Sequence, residues 1–189
     1  MAISQEALYR GLDVDQGLSW SEAQLPERER TKHVHRLHPY LGKFVPQLVE
    51  ALLDRYVPAG GRVLDPFAGS GTTLVQALEQ GYDATGVDIA SFNCLLMRVK
   101  TRPHNLDALR RDLLWAHERA ETFRPAGEIP ADAGSFIREW FGAEAIEELL
   151  HFRSRVEQVS SADVLRVVLA SAARSARRTT HFDLDFPRA

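Results

Sequence analysis

The chain has 189 residues, enough for one domain with a small appendage. Hydrophobic residues make up 44% of it and charged residues 26%, so it can build a core, and no segment approaches the ~18 apolar residues of a membrane span. A net charge of −3 excludes an overall basic footprint, and the single cysteine excludes an internal disulfide framework or a cysteine-cluster metal site. The amino-terminal residues MAISQEALYR lack an apolar signal core, so we expect a cytoplasmic protein.

Residues 1–37 are polar, with a charged run over residues 26–32, and we interpret them as a solvated amino-terminal arm. His33, His35 and His38 form an H-x-H-x-x-H pattern. A metal site would need a fourth ligand and a rigid scaffold, and the sequence shows neither, so no metal is predicted. We place His33 and His35 on the basic arm, whereas His38 begins a basic and aromatic stretch, H-P-Y-L-G-K-F, that ends at Phe44.

The middle of the chain is predicted to alternate between helix and strand. Helices are predicted at 45–56, 72–80 and 91–100, and buried strands at 62–65 and 84–88. Strand, loop, helix, strand and helix at this spacing are typical of a βαβα unit with two parallel strands. The predicted fold class is therefore α/β, with residues 38–100 as its core.

Residues 101–189 are predicted to be mainly helical. Helices are predicted at 106–123, at 135–158 with a break near Gly142, and at 162–178. Residues 181–186, H-F-D-L-D-F, alternate with period two and indicate a third strand or the start of a further element. Because an open parallel sheet normally has about five or six strands, we expect another chain or a longer polypeptide to complete this one.

The loop after the first strand, V-L-D-P-F-A-G-S-G-T-T, carries the strongest functional signal. Gly69 and Gly71 allow a tight turn and the close approach of a ligand to the backbone, and the helix from Thr72 offers free N–H groups. No lysine follows Gly71, which argues against a nucleoside triphosphate. Leu74 stands where a dinucleotide fingerprint needs a third glycine.

Two acidic residues narrow the choice of ligand. Asp65 would repel a pyrophosphate, but it suits the ammonium group of an amino acid. Asp88 ends the second predicted strand, where an acid can accept hydrogen bonds from both ribose hydroxyls, and Ile89 would flank an adenine. Together these features favour S-adenosylmethionine, a nucleoside joined to a zwitterionic methionine; the alternative is an ordinary βαβ turn with a capping aspartate.

Residues 38–100 resemble the cofactor-binding part of the amino-methyltransferases of DNA, which methylate N6 of adenine or N4 of cytosine. Residues 65–73 match the family's cofactor loop, 86–88 its ribose-binding strand end, and 38–44 the segment that closes over the methionine end. The resemblance implies a Rossmann-like methyltransferase fold, S-adenosyl-L-methionine as cofactor, DNA as the substrate of the complete enzyme, and a role in restriction–modification. It assigns to the cofactor His38, Pro39, Tyr40, Lys43, Phe44, Asp65, Pro66, Phe67, Ala68, Gly69, Ser70, Gly71, Thr72, Thr73, Asp88 and Ile89.

The family's catalytic signature, an Asp/Asn/Ser-Pro-Pro-aromatic tetrapeptide, has no counterpart here, since no Pro-Pro pair occurs in the chain. In the family its polar side chain and proline carbonyl hold the target amine in line with the methyl group, and its ring stacks on the flipped base. We therefore expect a split or truncated enzyme with its catalytic half on a second polypeptide or in a missing carboxyl-terminal half. No catalytic residue is assigned. The alternative is a non-catalytic S-adenosylmethionine-binding subunit that regulates or positions a partner methyltransferase.

Other candidate residues carry weaker signals. Cys94 lies in an apolar helix and is expected to be a buried structural thiol. The basic residues either contact phosphates or form a solvated surface, and the sequence leaves both open. They are Lys32, Arg36, Lys43, Arg174, Arg177 and Arg178.

Overall fold

The computed structural model describes residues 18, 20–21, 23–40, 42–131 and 133–178. The helices are α1 (Glu27–Arg30), α2 (Pro46–Tyr56), α3 (Thr72–Glu79), α4 (Ser91–Thr101), α5 (Leu106–Thr122), α6 (Ser135–Trp140), α7 (Ala143–Val156) and α8 (Ala162–Ser175). The strands are β1 (Arg62–Asp65) and β2 (Asp83–Gly86), and a short 3-10 helix spans His33–Arg36. The predicted α/β class is confirmed, with a helical region after α4.

The two strands pair in parallel, from Arg62 opposite Asp83 to Asp65 opposite Gly86. Side chains alternate between the faces of a sheet, and here one face is half-buried against α2 and α3 while the other is exposed. Leu64 lies on the exposed face, with 66% of its surface accessible. In the described part of the chain the sheet has these two strands, and the strand predicted at 181–186 lies outside the described residues.

A glycine in β2 allows α3 to pack closely on the sheet. A Cβ atom added at Gly86 would lie 2.7 Å from Leu74 Cδ1 and 2.9 Å from Ala68 Cβ. Leu74 and Ala68 belong to a small core cluster with Met97 of α4. Gly86 therefore sets the distance between the sheet and the amino-terminal half of α3.

Gly86→Ala is expected to lower the free energy of unfolding by about 1–3 kcal/mol, the usual cost of overpacking a core. Urea unfolding measures the loss. Gly134→Ala is the matched control, because a Cβ at Gly134 meets no atom within 4 Å. Equal stability of the two variants would contradict the close packing at Gly86.

The helical region joins the α/β unit through α4 and α8. Leu95, Leu96 and Val99 of α4 form one core cluster with Val164 and Val167 of α8. A second cluster, made of Ala116, Val156 and Leu165, holds α5, α7 and α8 together. The break predicted near Gly142 is confirmed, since α6 ends at Trp140 and α7 begins at Ala143. None of the described helices is both long and apolar enough to cross a bilayer.

The segment before α2 packs on the core, so the prediction that His35 lies on a solvated arm is wrong. His35 is fully buried, and its Nε2 lies 2.7 Å from Oε1 of Gln76 in α3. The Gln76 amide nitrogen donates to the carboxylates of Glu50 and Glu79, so its oxygen faces His35 and accepts the Nε2 proton. Lys32 forms ion pairs with the same two carboxylates. This network anchors the segment to α2 and α3.

Candidate cofactor site

The candidate site lies at the carboxyl edge of the parallel strands. Residues 66–71 form the loop between β1 and α3, and Asp88 follows β2. Two backbone bonds hold these ends together: Val87 N–H donates to the Asp65 carbonyl at 2.9 Å, and Ala68 N–H donates to the Val87 carbonyl at 3.0 Å. Asp65 and Asp88 therefore lie on the same edge, where open α/β sheets place their ligands.

The loop needs glycine at two positions. Gly69 and Gly71 have φ angles of +52° and +81°, in a region of backbone conformation that residues other than glycine rarely adopt. Gly71 N–H donates to the Ala68 carbonyl at 2.7 Å, which closes the turn just before α3. A Cβ on Gly71 would also lie 2.9 Å from Met97 Cγ of α4. The turn is thus fixed by backbone conformation and by close packing beneath it.

The Asp88 carboxylate holds the loop. Its Oδ2 accepts a hydrogen bond from Gly69 N–H at 2.9 Å, while Oδ1 accepts from Ala90 N–H at 2.8 Å and from the Asn93 amide at 2.9 Å. The bonds from Ala90 and Asn93, with that from Gly69, lower the pKa of Asp88 below its ordinary value. The carboxylate is therefore ionised at neutral pH, and it caps the loop, a role that the sequence left open as the alternative to ribose binding.

The side chains around this edge fall into two groups. Asp65 is half-buried, with Oδ1 accepting from Phe67 N–H at 3.1 Å, while Phe67 and Ile89 are 87% and 105% exposed. Pro66 is exposed and Thr73 half-buried. Ala68, Ser70 and Thr72 are buried beneath the loop. The exposed apolar side chains offer contact to a ligand, whereas the buried residues support the backbone.

Tyr40 connects the 38–44 segment with the loop. Its hydroxyl accepts a hydrogen bond from the Asn93 amide at 3.1 Å, and it would lie 3.5 Å from a Cβ placed on Gly69. Tyr40 therefore sits against the glycine loop. Pro39 beside it is exposed.

The other residues of the segment hold it in place. His38 is buried, and its ring makes an edge contact with Phe92 of α4, with 4.9 Å between the ring centroids. Lys43 donates to the His35 carbonyl at 2.9 Å, and burial lowers the pKa of this lysine. Phe44 is more than half exposed. The ammonium group of Lys43 is thus turned towards the preceding helix.

Lys100 supports the loop from below and was missed by sequence reasoning. Its ammonium group, on α4, donates to the Ser70 carbonyl at 2.7 Å. Burial, with repulsion from Lys43, lowers the pKa of Lys100 from 10.5 to about 8. In the folded chain Lys100 therefore loses its proton well before it would in the unfolded chain.

This difference predicts a pH dependence of stability. Between about pH 8 and 10.5 the unfolded chain binds more protons at Lys100 than the folded chain, so stability rises with pH in this window. The free energy of unfolding is expected to rise by about 2–3 kcal/mol between pH 7.5 and pH 10. Lys100→Met should abolish this rise, as measured by urea unfolding at the two pH values. Lys32→Met is the control. Burial would lower the pKa of Lys32, but Glu50 and Glu79 raise it overall. This substitution should therefore leave the rise in the free energy of unfolding with pH in place.

Two other predictions concern Cys94 and the three histidines. Cys94 was expected to be buried and is half-buried, because it lies beside the open edge of the sheet, where its thiol contacts the Asp88 carbonyl at 3.4 Å. Among the described residues, no three histidine, cysteine, aspartate or glutamate side chains converge to hold a metal ion. His33, His35 and His38 do not form such a cluster.

Parallel strands, a glycine loop and an ionised aspartate at one sheet edge define an α/β protein with a candidate ligand site at that edge. Residues 5–98 match the family model described as DNA methylase, of the N6/N4 type. The chain belongs to the DNA amino-methyltransferase family, as its sequence motifs predicted.

Curated relatives agree with this family. The chain is 52% identical over 99 residues to Type II methyltransferase M.MjaII of Methanocaldococcus jannaschii, which covers 51% of this chain and 19% of the relative. It is 26% identical over 156 residues to Type II methyltransferase M.MvaI of Kocuria varians, covering 78% of this chain and 34% of that protein. The chain thus spans about a fifth to a third of the length of these two relatives. No solved structure matches it significantly.

Proposed function

We propose that residues 38–100 bind S-adenosyl-L-methionine as the methyl-donor part of a DNA amino-methyltransferase. The observation that carries this proposal is that the DNA methylase match covers the residues that build the glycine loop and the Asp88 edge. In this assignment Asp65 and the loop at Gly69 and Gly71 hold the methionine end. Asp88 accepts from the ribose, and Ile89 lies against the adenine.

The residues present fit such a cofactor. Ionised Asp88 has two oxygens with about four acceptor positions, of which Gly69, Ala90 and Asn93 use three. One ribose hydroxyl can therefore donate to the remaining position, which lies on Oδ2. Ile89 presents an apolar surface that a flat base would bury.

When bound, the cofactor would supply an electrophilic methyl group for transfer to the exocyclic amine of adenine or cytosine. The residues of this chain hold and orient its two ends. Tyr40 and Phe44 cover the site, while His38 and Lys43 anchor the covering segment through Phe92 and the His35 carbonyl. Such orientation contributes to rate because it fixes the methyl group relative to an incoming amine.

We further propose that residues outside this sequence supply the base-holding tetrapeptide, and that DNA is the substrate of the assembled enzyme. The absence of a Pro-Pro pair from the 189 residues supports this proposal. The exposed sheet face at Leu64 also supports it, because parallel sheets are normally covered on both sides. The absence of the tetrapeptide equally suits a second function, a non-catalytic subunit that binds the cofactor and positions a partner methyltransferase.

Calorimetry tests the choice of cofactor. We expect S-adenosylmethionine and S-adenosylhomocysteine to bind at least about tenfold more tightly than NAD or ATP, because the Asp65 carboxylate repels phosphates and no loop lysine offsets it. Asp65→Asn should narrow this preference. Equal or tighter binding of NAD would contradict the proposed function.

A further inference from the structure

One side chain links residues 38–44, which we call the covering segment, with Asp88. Asn93, in the first turn of α4, is only 8% exposed. Its amide nitrogen donates one hydrogen bond to Asp88 Oδ1 at 2.9 Å and one to the Tyr40 hydroxyl at 3.1 Å. Because an ionised carboxylate only accepts hydrogen bonds, the group facing Asp88 must be the NH₂ of the amide. Both protons of that group are therefore used.

The contacts continue from both partners of Asn93 to the same glycine. Asp88 Oδ2 accepts from Gly69 N–H, and the Tyr40 hydroxyl lies against the α-carbon side of Gly69. Tyr40 and Asn93 are separated by 53 residues, so this connection arises only in the folded chain. The amide of Asn93 is the point where the covering segment, α4 and the loop meet.

The two hydrogen bonds of Asn93 also fix the directions of the Tyr40 hydroxyl proton and of the remaining acceptor position on Asp88. Since the Tyr40 oxygen accepts from Asn93, its own proton is left to point away from the amide. Asp88 Oδ1 is engaged by Ala90 and Asn93, so the remaining acceptor capacity of the carboxylate has a fixed direction. A rotating carboxylate would have to be ordered when a ligand binds, and that ordering would weaken binding.

We propose that Asn93 is a positioning residue of the cofactor site, which orients Asp88 for a ribose hydroxyl and couples it to the covering segment through Tyr40. This proposal rests on the proposed function, because it takes the ribose of an adenosyl cofactor as the ligand of Asp88. It adds a residue outside the loop and strand-end motifs. In this proposal, Asp88 and Asn93 together make the site prefer a ribose over a deoxyribose.

The test compares S-adenosylhomocysteine with its 2′-deoxy analogue by calorimetry. The wild-type chain is expected to prefer the ribose form by at least about tenfold, the value of one charge-assisted hydrogen bond. Asn93→Leu should weaken binding of S-adenosylhomocysteine by a similar factor. It should also reduce the preference for the ribose form to nearly that of Asp88→Ala. Adding Asn93→Leu to Asp88→Ala should cause little further loss of affinity. Ser91→Ala, an exposed position on the same helix, is the matched control.

An isosteric variant separates hydrogen bonding from packing. Asn93→Asp keeps the shape of the side chain but places a second carboxylate beside Asp88. Because two adjacent carboxylates share a proton as pH falls, binding of S-adenosylhomocysteine should be weak at pH 8 and should partly recover near pH 5.5. Tyr40→Phe should weaken binding of S-adenosylhomocysteine only a few-fold, because it removes one of the two hydrogen-bond partners of the Asn93 amide.

The outcomes are distinct. If the wild-type chain does not bind S-adenosylhomocysteine, the proposed function fails. If it binds, and folded Asn93→Leu keeps both affinity and ribose preference, the positioning role is wrong and Asn93 serves packing alone. If Asn93→Leu does not fold, Asn93→Asp decides: a recovery at low pH supports the role, and a flat pH profile overturns it.

Discussion

Asp88→Ala is expected to weaken binding of S-adenosylhomocysteine by at least about tenfold while the chain stays folded. The substitution removes the acceptor proposed for the ribose. It also removes the acceptor of Gly69 N–H, so the loop loses the contact that ties it to the end of β2. Both effects reduce affinity, because the free loop must then be ordered when the cofactor binds.

Calorimetry measures the affinity, and circular dichroism with thermal unfolding checks the fold. Asp83→Ala is the matched control, because Asp83 is an exposed acid at the opposite end of β2. Asp88→Asn should also weaken binding, since its amide oxygen accepts without a charge and its amide nitrogen cannot accept at all. Unchanged affinity in folded Asp88→Ala would mean that Asp88 only caps the loop.

The elements around this loop were predictable because their signals are local. Apolar residues between polar flanks fix β1 at the predicted residues 62–65, and β1 ends there because Pro66 has no N–H for the ladder. The positive φ angles of Gly69 and Gly71 agree with the turn inferred from the glycine pair. β2 was expected at 84–88 and lies at Asp83–Gly86, since pairing with β1, which the local pattern does not contain, sets its bounds.

The features missed depend on partners distant in sequence. The sequence suggests that His35 is one more polar residue of the amino-terminal arm, and its burial depends on Gln76, which is 41 residues away. Asn93 reads as a polar position near the start of a helix, and Lys100 as a cation in its last turn. Their contacts with Tyr40 and the Ser70 carbonyl follow from packing of three segments, which no periodicity encodes. The signal that could have indicated Asn93 is its position among the apolar residues Phe92, Leu95 and Leu96.

The second large effect concerns methyl transfer itself. The 189-residue chain alone is expected to methylate DNA at least about a hundredfold more slowly than a mixture with a polypeptide that carries the Asp/Asn/Ser-Pro-Pro-aromatic tetrapeptide. Without that segment nothing holds a flipped base in line with the methyl group, and the sequence contains no Pro-Pro pair. A bound cofactor facing water then has no oriented amine to react with.

A tritiated-methyl transfer assay on mixed genomic DNA measures this effect, first with the purified chain and then with the downstream or neighbouring coding region co-expressed. The Asp88→Ala form of this chain is the control, and it should reduce the restored activity if the chain supplies the cofactor. Restoration that depends on Asp88 favours a split enzyme, whereas restoration indifferent to Asp88 favours a positioning subunit whose partner binds its own cofactor. Sustained turnover by the purified chain alone would contradict the prediction, because a residue within these 189 positions would then have to hold the base.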